Sequence, residues 1–290
     1  MKITRRSAMT TAASLAAASL QQRLAAADSA SGTRGRIRHS VCKWCYPKVS
    51  VDELAIAGKS MGLQSIELLG PGDWETVRKH GLTCAITSNP VKDGLGGITK
   101  AFNRLEHHDT LVSAYEEWIP QAAKAGLKNV ICFSGNRAGM DDATGLRNCA
   151  VGLKRLMGVC EKNRVTLVME LLNSRVDHAD YMCDKSSWGV ALCKEIGSES
   201  FKLLYDIYHM QIMEGDVIAT IRKNHQYFAH YHTGGVPGRH EIDESQELNY
   251  PAILKAIAET GYKGFVAQEF IPARPDALGS LRQAIRLCDV

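Results

Sequence analysis

The feature that most constrains the fold is a regular alternation of short apolar runs with longer amphipathic runs, from residue 36 to the end of the 290-residue chain. Such alternation is typical of a parallel sheet with crossover helices. Eight strand–helix units suit a (β/α)8 barrel, whose typical size is about 250 residues. We therefore predict a single-domain α/β TIM barrel with strands at 37–42, 64–69, 82–87, 128–133, 165–171, 201–206, 227–232 and 264–269.

A doubly wound open sheet is the structural alternative. That fold often carries a glycine-rich phosphate turn after its first strand. Here Lys43 and Trp44 follow the first strand, and neither GxGxxG nor GxxxxGK[ST] occurs anywhere in the chain. Helix signals support the barrel. Ser50 and Glu53 have capping-box spacing, Gly62 ends that helix, and further helical patterns cover 105–125, 141–163, 186–196, 209–223, 250–260 and 275–287.

The first 27 residues have the composition of a targeting segment. A basic start with Arg5 and Arg6 precedes an Ala-rich, weakly apolar run that ends in the small residues 25–27. Thr4-Arg5-Arg6 before such a run is typical of a twin-arginine signal, and the run is shorter than the roughly 20 apolar residues of a membrane span. We predict a signal at 1–27, a mature domain at 28–290 and a periplasmic or extracellular location. A general secretory peptide or an amphipathic tail remains the alternative.

The charge balance argues against a polyanionic partner. The chain has 35 Lys and Arg against 31 Asp and Glu, a net charge of +4, and residues 1–27 hold four basic and no acidic residues. Residues 28–290 are therefore close to neutral, whereas nucleic-acid binding needs a basic surplus. No segment after the signal is apolar for long enough to cross a membrane. We expect a small-molecule partner, and the sequence leaves a homo-oligomer open.

The nine cysteines do not suggest a disulfide framework. Their number is odd, and most lie in apolar stretches, where a free thiol behaves as a small hydrophobic group. Cys42 and Cys45 form the one pair with the spacing of a redox or metal motif. Without a second such pair, we expect these two residues to line the pocket.

Four consecutive predicted strands each end in a residue that can bind a metal. In a barrel, the carboxyl ends of neighbouring strands converge on the active-site face. Three carboxylates gathered there would repel one another without a cation. Oxygen ligands with one imidazole suit Mg²⁺ or Mn²⁺, with Co²⁺ as a substitute. The sequence therefore predicts one divalent metal ion held by Glu170, Asp206, His232 and Glu269.

Other polar residues are predicted at the same face. His209 and Arg239 follow the sixth and seventh strands, Asn173 follows the fifth, and Glu67 lies near the end of the second. An arginine and a histidine beside a metal suit hydroxy-carbonyl or carboxylate groups. We predict that these four residues bind substrate, with an ordinary surface role as the alternative for each.

Five segments spread over the barrel resemble the hydroxypyruvate isomerases, within the wider xylose isomerase-like TIM-barrel superfamily: 42–47, 169–173, 205–211, 237–241 and 267–272. The resemblance implies that the four strand-end residues hold the metal. It implies that Glu170 and Glu269 also form an acid/base pair on opposite faces of the substrate. It further implies that His209 and Arg239 bind substrate oxygens.

The resemblance has three departures. His232 stands where hydroxypyruvate isomerases often place Gln, residues 171–176 lack an acidic residue that epimerases carry, and the signal implies export. We predict an aldose–ketose type isomerase of a small hydroxy-keto acid or sugar, acting through an enediolate. The alternatives are a keto-sugar 3-epimerase, a 3-keto-glycoside lyase or dehydratase, and a non-catalytic sugar-binding protein. An apurinic-site endonuclease shares the Asp206–His209 spacing but needs more histidines than these strand ends offer.

Overall fold

The computed structural model describes residues 35–290, so the predicted signal at 1–27 lies outside the described residues. Within them, one sheet contains seven parallel strands in the order β2-β1-β7-β6-β5-β4-β3. The strands are β1 (Arg38–Cys42), β2 (Ser65–Glu67), β3 (Asn129–Cys132), β4 (Thr166–Leu171), β5 (Phe201–Asp206), β6 (Phe228–Thr233) and β7 (Phe265–Gln268).

The predicted strand at 82–87 is irregular, yet it joins the two edges of this sheet. Thr83 bridges to Ser65 of β2, and Thr87 bridges to Val130 of β3. Between these two bridges, the backbone of Ala85 bonds to side chains instead of to a neighbouring strand. Ser65 Oγ accepts from Ala85 N at 2.8 Å, and Asn129 Nδ2 donates to Ala85 O at 3.0 Å. Eight segments thus close the sheet, and the predicted (β/α)8 barrel is confirmed. At 82–87 isolated bridges replace a regular strand.

Ten α-helices surround the described barrel, and most match the predicted patterns. The capping box of Ser50 and Glu53 forms, and Gly62 ends that helix in a left-handed conformation. The patterns at 141–163 and 209–223 are each two helices. The helices are α1 (Val51–Met61), α2 (Pro71–Lys79), α3 (His108–Lys124), α4 (Asp142–Lys154), α5 (Met157–Asn163), α6 (Ser186–Ile196), α7 (Ile207–Met213), α8 (Val217–Asn224), α9 (Tyr250–Glu259) and α10 (Ala277–Cys288).

Apolar side chains fill most of the space between sheet and helices, and all nine cysteines are buried in the protein as free thiols. Among residues 35–290, no helix is both long enough and apolar enough to span a membrane. The exception to this apolar interior is a group of buried charged and polar residues towards the carboxyl ends of the strands. Buried charges need partners or a metal, so this group marks the candidate site.

Candidate metal centre and active site

The strand ends bring the four predicted metal ligands together. Each offers a ligand atom within 4.8 Å of the others, and none of the four is more than 5% exposed. Pairing explains the convergence, since Asp206 of β5 lies beside His232 of β6, which lies beside Ala267 of β7. We call this group the carboxylate–imidazole cluster: Glu170, Asp206, His232 and Glu269.

Three side chains already contact Glu269. His232 Nδ1 lies 2.8 Å from Glu269 Oε2, and the Arg239 guanidinium lies 2.7 Å from the same oxygen. Trp44 Nε1 donates to the other oxygen, Oε1, at 2.8 Å. Arg239 also lies 3.6 Å from Asp206 Oδ2. These contacts fix the Glu269 carboxylate and leave the other two carboxylates with weaker compensation.

The pKa directions reflect this uneven compensation. Burial, and then the charge of Glu269, raises the pKa of Glu170. Burial likewise raises the pKa of Asp206 well above its usual range, although Arg239 opposes the shift. For Glu269 burial acts in the same direction, but His232 and Arg239 outweigh it and hold its pKa well below the usual range. The local cations therefore stabilise one of the three carboxylates as an anion.

The residues present fit a divalent cation. Within the described part of the chain, Glu170 Oε1 and Asp206 Oδ2 are buried and have no hydrogen-bond partner. Buried oxygens without donors are costly unless a cation satisfies them. Three carboxylates and one imidazole form a mostly oxygen donor set, which suits Mg²⁺ or Mn²⁺ better than zinc. This chemistry agrees with the prediction from the strand ends, while the identity of the ion stays a prediction.

A cavity of about 350 Å³ lies against the cluster. Glu170, Glu269 and Arg239 line its polar part, together with His178, Ser88 and Asn89. The rest of its wall is apolar and consists of Trp44, Leu68, Ile98, Ile131, Phe133 and Leu172. A ligand in this cavity would have charged groups at one end and an apolar surface around the remainder.

His209 presents a proton donor beside the cluster. Asn173 Oδ1 accepts from the backbone N–H of Val176 and of Asp177, both at 3.0 Å, so the amide nitrogen must face His209. That nitrogen donates to His209 Nδ1 at 2.7 Å, which leaves the ring proton on Nε2. Burial, and then Arg239, lowers the pKa of His209 well below its usual value. The neutral ring thus directs Nε2–H towards Asp206 Oδ2, 3.6 Å away.

Of the four predicted substrate-binding residues, only Arg239 lines the cavity; Asn173, Glu67 and His209 do not. Asn173 is fully buried, and its amide is occupied by the His209 ring and the loop backbone. Glu67 is also fully buried, with Oε1 2.7 Å from His230 Nε2 and 2.9 Å from His232 Nε2. Both side chains are already used for internal hydrogen bonds with neighbouring residues, and their predicted contact with substrate stays a prediction. His209 is fully buried beside Asp206, so Arg239 is the predicted substrate-binding residue that reaches the cavity wall.

The loop after β6 holds Arg239 over the cluster. Its backbone is left-handed at Arg239, with φ 59°, and the guanidinium lies 5.1 Å from the Trp44 ring centre and 5.3 Å from that of Tyr208. Glu241 anchors the same loop by accepting from Ala273 N at 3.2 Å and from Ser280 Oγ at 2.7 Å. Arg239 is therefore positioned by the rings of Trp44 and Tyr208 and by its ion pair with Glu269, while Glu241 holds the loop that carries it.

Sequence reasoning missed Trp44 and His178 at the site. Trp44 lies two residues beyond β1, so the strand-end argument could have identified it. His178 lies in the long loop after β4, and its ring packs 5.2 Å from that of His209, which no sequence periodicity indicates. The expected pocket-lining role of Cys42 and Cys45 is wrong. Both are buried beneath the cavity, and Cys42 Sγ lies 3.7 Å from His232 Nε2.

Comparison with known proteins gives relatives by sequence. The family described as xylose isomerase-like TIM barrel matches residues 74–288. A 2-oxo-tetronate isomerase of Cupriavidus necator is 36% identical over 40% of this chain, but the match spans only 44% of that relative. A putative hydroxypyruvate isomerase of Homo sapiens is 27% identical over 79% of this chain and 87% of the relative. The hydroxypyruvate isomerase of Escherichia coli is 27% identical over 73% of this chain and 84% of that relative. The resemblance inferred from the motifs is confirmed.

Solved structures support the fold. An AP endonuclease, family 2, from Brucella melitensis superposes with a TM-score of 0.73 at 24% identity, over 84% of this chain and 96% of that one. A 3-keto-D-glucoside 4-epimerase from E. coli superposes with a TM-score of 0.73 at 18% identity, over 87% of this chain and 100% of that one. A D-psicose 3-epimerase superposes with a TM-score of 0.67 at 15% identity, over 87% of this chain and 90% of that one. At these identities the likeness establishes the barrel and leaves the chemistry to the site itself.

Proposed function

Because the chain belongs to the xylose isomerase-like TIM-barrel family, we propose that it is a divalent-metal-dependent isomerase of a small hydroxy-keto acid or sugar, of the hydroxypyruvate isomerase type. Its named relatives are isomerases of hydroxypyruvate and of 2-oxo-tetronate. The observation that carries the proposal is the carboxylate–imidazole cluster beside a cavity of about 350 Å³, with two buried oxygens that have no hydrogen-bond partner among the described residues.

The cluster would hold one Mn²⁺ or Mg²⁺ ion, with Co²⁺ as a substitute, through Glu170, Asp206, His232 and Glu269. When bound, such an ion supplies Lewis-acid polarisation of a carbonyl and its neighbouring hydroxyl. The protein supplies the remaining electrostatics. Arg239 can pair with a substrate carboxylate, and the neutral His209 can donate Nε2–H to a substrate oxygen.

Proton transfer falls to the two glutamates on the cavity wall. One of them removes the carbon-bound proton next to the carbonyl, and the other, or the same one, returns it at the adjacent carbon. The hydrogen bond from Trp44 Nε1 at 2.8 Å holds the Glu269 carboxylate at the cavity surface for this step. The apolar wall around Phe133 and Leu172 limits the access of water to the enediolate. On hydroxypyruvate this sequence of transfers yields tartronate semialdehyde.

A keto-sugar 3-epimerase, or a 3-keto-glycoside lyase or dehydratase, is the second candidate. The supporting observation is the cavity, since about 350 Å³ is ample for a sugar and generous for a three-carbon acid. The same enediolate would be reprotonated at the same carbon in epimerisation, or would expel a neighbouring leaving group in elimination. The metal site and the two glutamates serve all three outcomes.

Proton exchange measured by NMR would distinguish these activities. Purified protein with Mg²⁺ in D2O is mixed in turn with hydroxypyruvate, 2-oxo-tetronate, ketoses and 3-keto glycosides. We expect one substrate to lose a single C–H signal, because the abstracted proton exchanges with solvent, and we expect EDTA to stop the loss. The accompanying product spectrum assigns isomerisation, epimerisation or elimination. Tight binding of a sugar with no exchange in any mixture would favour a non-catalytic sugar-binding protein instead.

We further propose that residues 1–27 direct export by a twin-arginine route. Thr4-Arg5-Arg6 and the Ala-rich run support this assignment. In a bacterium with a twin-arginine system, the full chain is expected in the periplasmic fraction, shortened to begin near Asp28 by mass spectrometry. A variant carrying both Arg5→Lys and Arg6→Lys should stay in the cytoplasm. A wild-type chain that remains cytoplasmic at full length would contradict the proposal.

A further inference from the structure

A second polar group lies directly beneath the carboxylate–imidazole cluster. His230, Glu67 and His232 form a hydrogen-bonded chain whose members are all 0% exposed. We call it the His–Glu–His chain. Barrel interiors are usually filled by branched apolar side chains, and a buried carboxylate is costly unless it is paired. The presence of Glu67 at this depth therefore needs an explanation beyond packing.

The strand geometry places these three side chains together. Alternate residues of a strand point to the same face, so His230 and His232 of β6 both point into the barrel. Glu67 ends β2, where it lies beside Cys42 of β1. From there its carboxylate reaches both histidines, with Oε1 2.7 Å from His230 Nε2 and 2.9 Å from His232 Nε2.

The two nitrogens of His232 face different partners. Nδ1 faces the cluster, 2.8 Å from Glu269 Oε2 and 3.3 Å from Glu170 Oε1. Nε2 faces Glu67. An ionised carboxylate only accepts hydrogen bonds, so Glu67 holds a proton on Nε2. A metal ligand needs the lone pair of the other nitrogen, and here that nitrogen already points at the cluster.

We propose that Glu67 is a positioning residue for the metal centre, which fixes His232 as the Nε2–H tautomer and presents Nδ1 to the cation. His230 anchors Glu67 from the far side, so the His–Glu–His chain sets the ring angle of the ligand. This inference rests on the proposed metal-dependent function and adds a residue that touches neither metal nor substrate. Residues that orient a ligand in this way typically contribute about 10–100-fold to metal affinity.

A separate metal site at Cys42, Glu67 and His232 is the competing interpretation, since their ligand atoms also lie close together. The hydrogen bonds argue against it. Glu67 Oε1 already accepts from two imidazoles, and His232 cannot offer Nε2 to a second cation while it keeps the proton there. Two Mn²⁺ ions per chain would support this alternative and overturn the positioning role.

The test uses metal-stripped wild-type protein with the variants Glu67→Ala and Glu67→Gln, titrated with Mn²⁺ by calorimetry. Asp184→Asn is the matched control, because Asp184 is a buried, ion-paired carboxylate that has no contact with the cluster. We expect a 10–100-fold loss of Mn²⁺ affinity in Glu67→Ala. A smaller loss is expected in Glu67→Gln, because its amide oxygen can replace Oε1 as the neutral acceptor for both histidines, and none is expected in the control.

A spectroscopic measurement separates positioning from general damage. In Co²⁺-substituted protein, the ring N–H of a coordinated histidine gives a shifted proton signal that exchanges with water. We expect a slowly exchanging His232 Nε2–H in the wild type and a fast or absent signal in Glu67→Ala. Folded Glu67→Ala with unchanged affinity and an unchanged signal would overturn the inference. A wild type that binds neither Mn²⁺ nor Co²⁺ would instead overturn the proposed metal-dependent function.

Discussion

The variant Glu269→Gln is expected to lower turnover by about 10³-fold, within the range that a positioned acid or base contributes. Glu269 is buried beside the cavity, and both of its oxygens accept hydrogen bonds, Oε1 from Trp44 and Oε2 from Arg239. Glutamine keeps the shape and one acceptor oxygen, but it cannot take up a proton from carbon. The chemical step should therefore fail while substrate binding is partly retained.

Two measurements check this expectation: the rate of proton exchange from D2O into the substrate, and the substrate affinity by calorimetry. Glu195→Gln serves as the control, since Glu195 is an exposed residue of α6 paired with Lys154. Trp44→Phe removes the indole N–H to Glu269 and keeps a smaller aromatic ring beside Arg239, so its exchange rate should lie between those of Glu269→Gln and Glu195→Gln. Full exchange activity in Glu269→Gln would rule out the acid/base role assigned to this residue.

The variant Asp206→Asn is expected to weaken Mn²⁺ binding by more than about 100-fold, the upper range for residues that merely support a ligand. Asp206 caps α7, and its Oδ1 accepts from His209 N at 3.1 Å. The amide oxygen of asparagine must take over this cap, so the NH2 group replaces Oδ2. That position faces the cluster, where an NH2 group cannot bind a cation.

The same geometry predicts that the metal-free Asp206→Asn protein stays folded. Its cap is preserved, and one of three crowded buried carboxylates is removed. Thermal unfolding should show an undiminished Tm without metal and little stabilisation when Mn²⁺ is added, because the stabilisation by a ligand grows with the logarithm of the ratio of its free concentration to Kd. Wild-type Mn²⁺ affinity in Asp206→Asn would show that this carboxylate is not a ligand.

The barrel and the cluster could be predicted from sequence for the same reason. Strands buried on both faces appear as apolar runs, and a charged residue that ends such a run must reach the carboxyl edge. Glu170 and Asp206 follow this rule directly. The rule could not predict that the segment at 82–87 is irregular. There the side chains of Ser65 and Asn129 bond to the backbone of Ala85 in place of a neighbouring strand.

The sequence also could not predict how deep in the barrel each polar side chain lies. Glu67 ends its strand as Asp206 does, yet it lies beneath the cavity because its carboxylate bonds to two histidines of β6. Asn173 was predicted at the site and lies there, but its amide is occupied by His209 and the local backbone. Such roles depend on side-chain contacts between distant strands, which single-sequence patterns do not encode.

The complete burial of the nine free thiols bears on the export that we propose. Oxidising compartments form disulfides wherever thiols are accessible. A chain that crossed the membrane unfolded would expose all nine thiols to mispairing. If the barrel forms before it crosses, as the proposed twin-arginine export requires, the oxidising machinery finds no exposed thiol on its surface. Under the proposed export, the order of folding and transport thus decides between a native protein and a cross-linked aggregate.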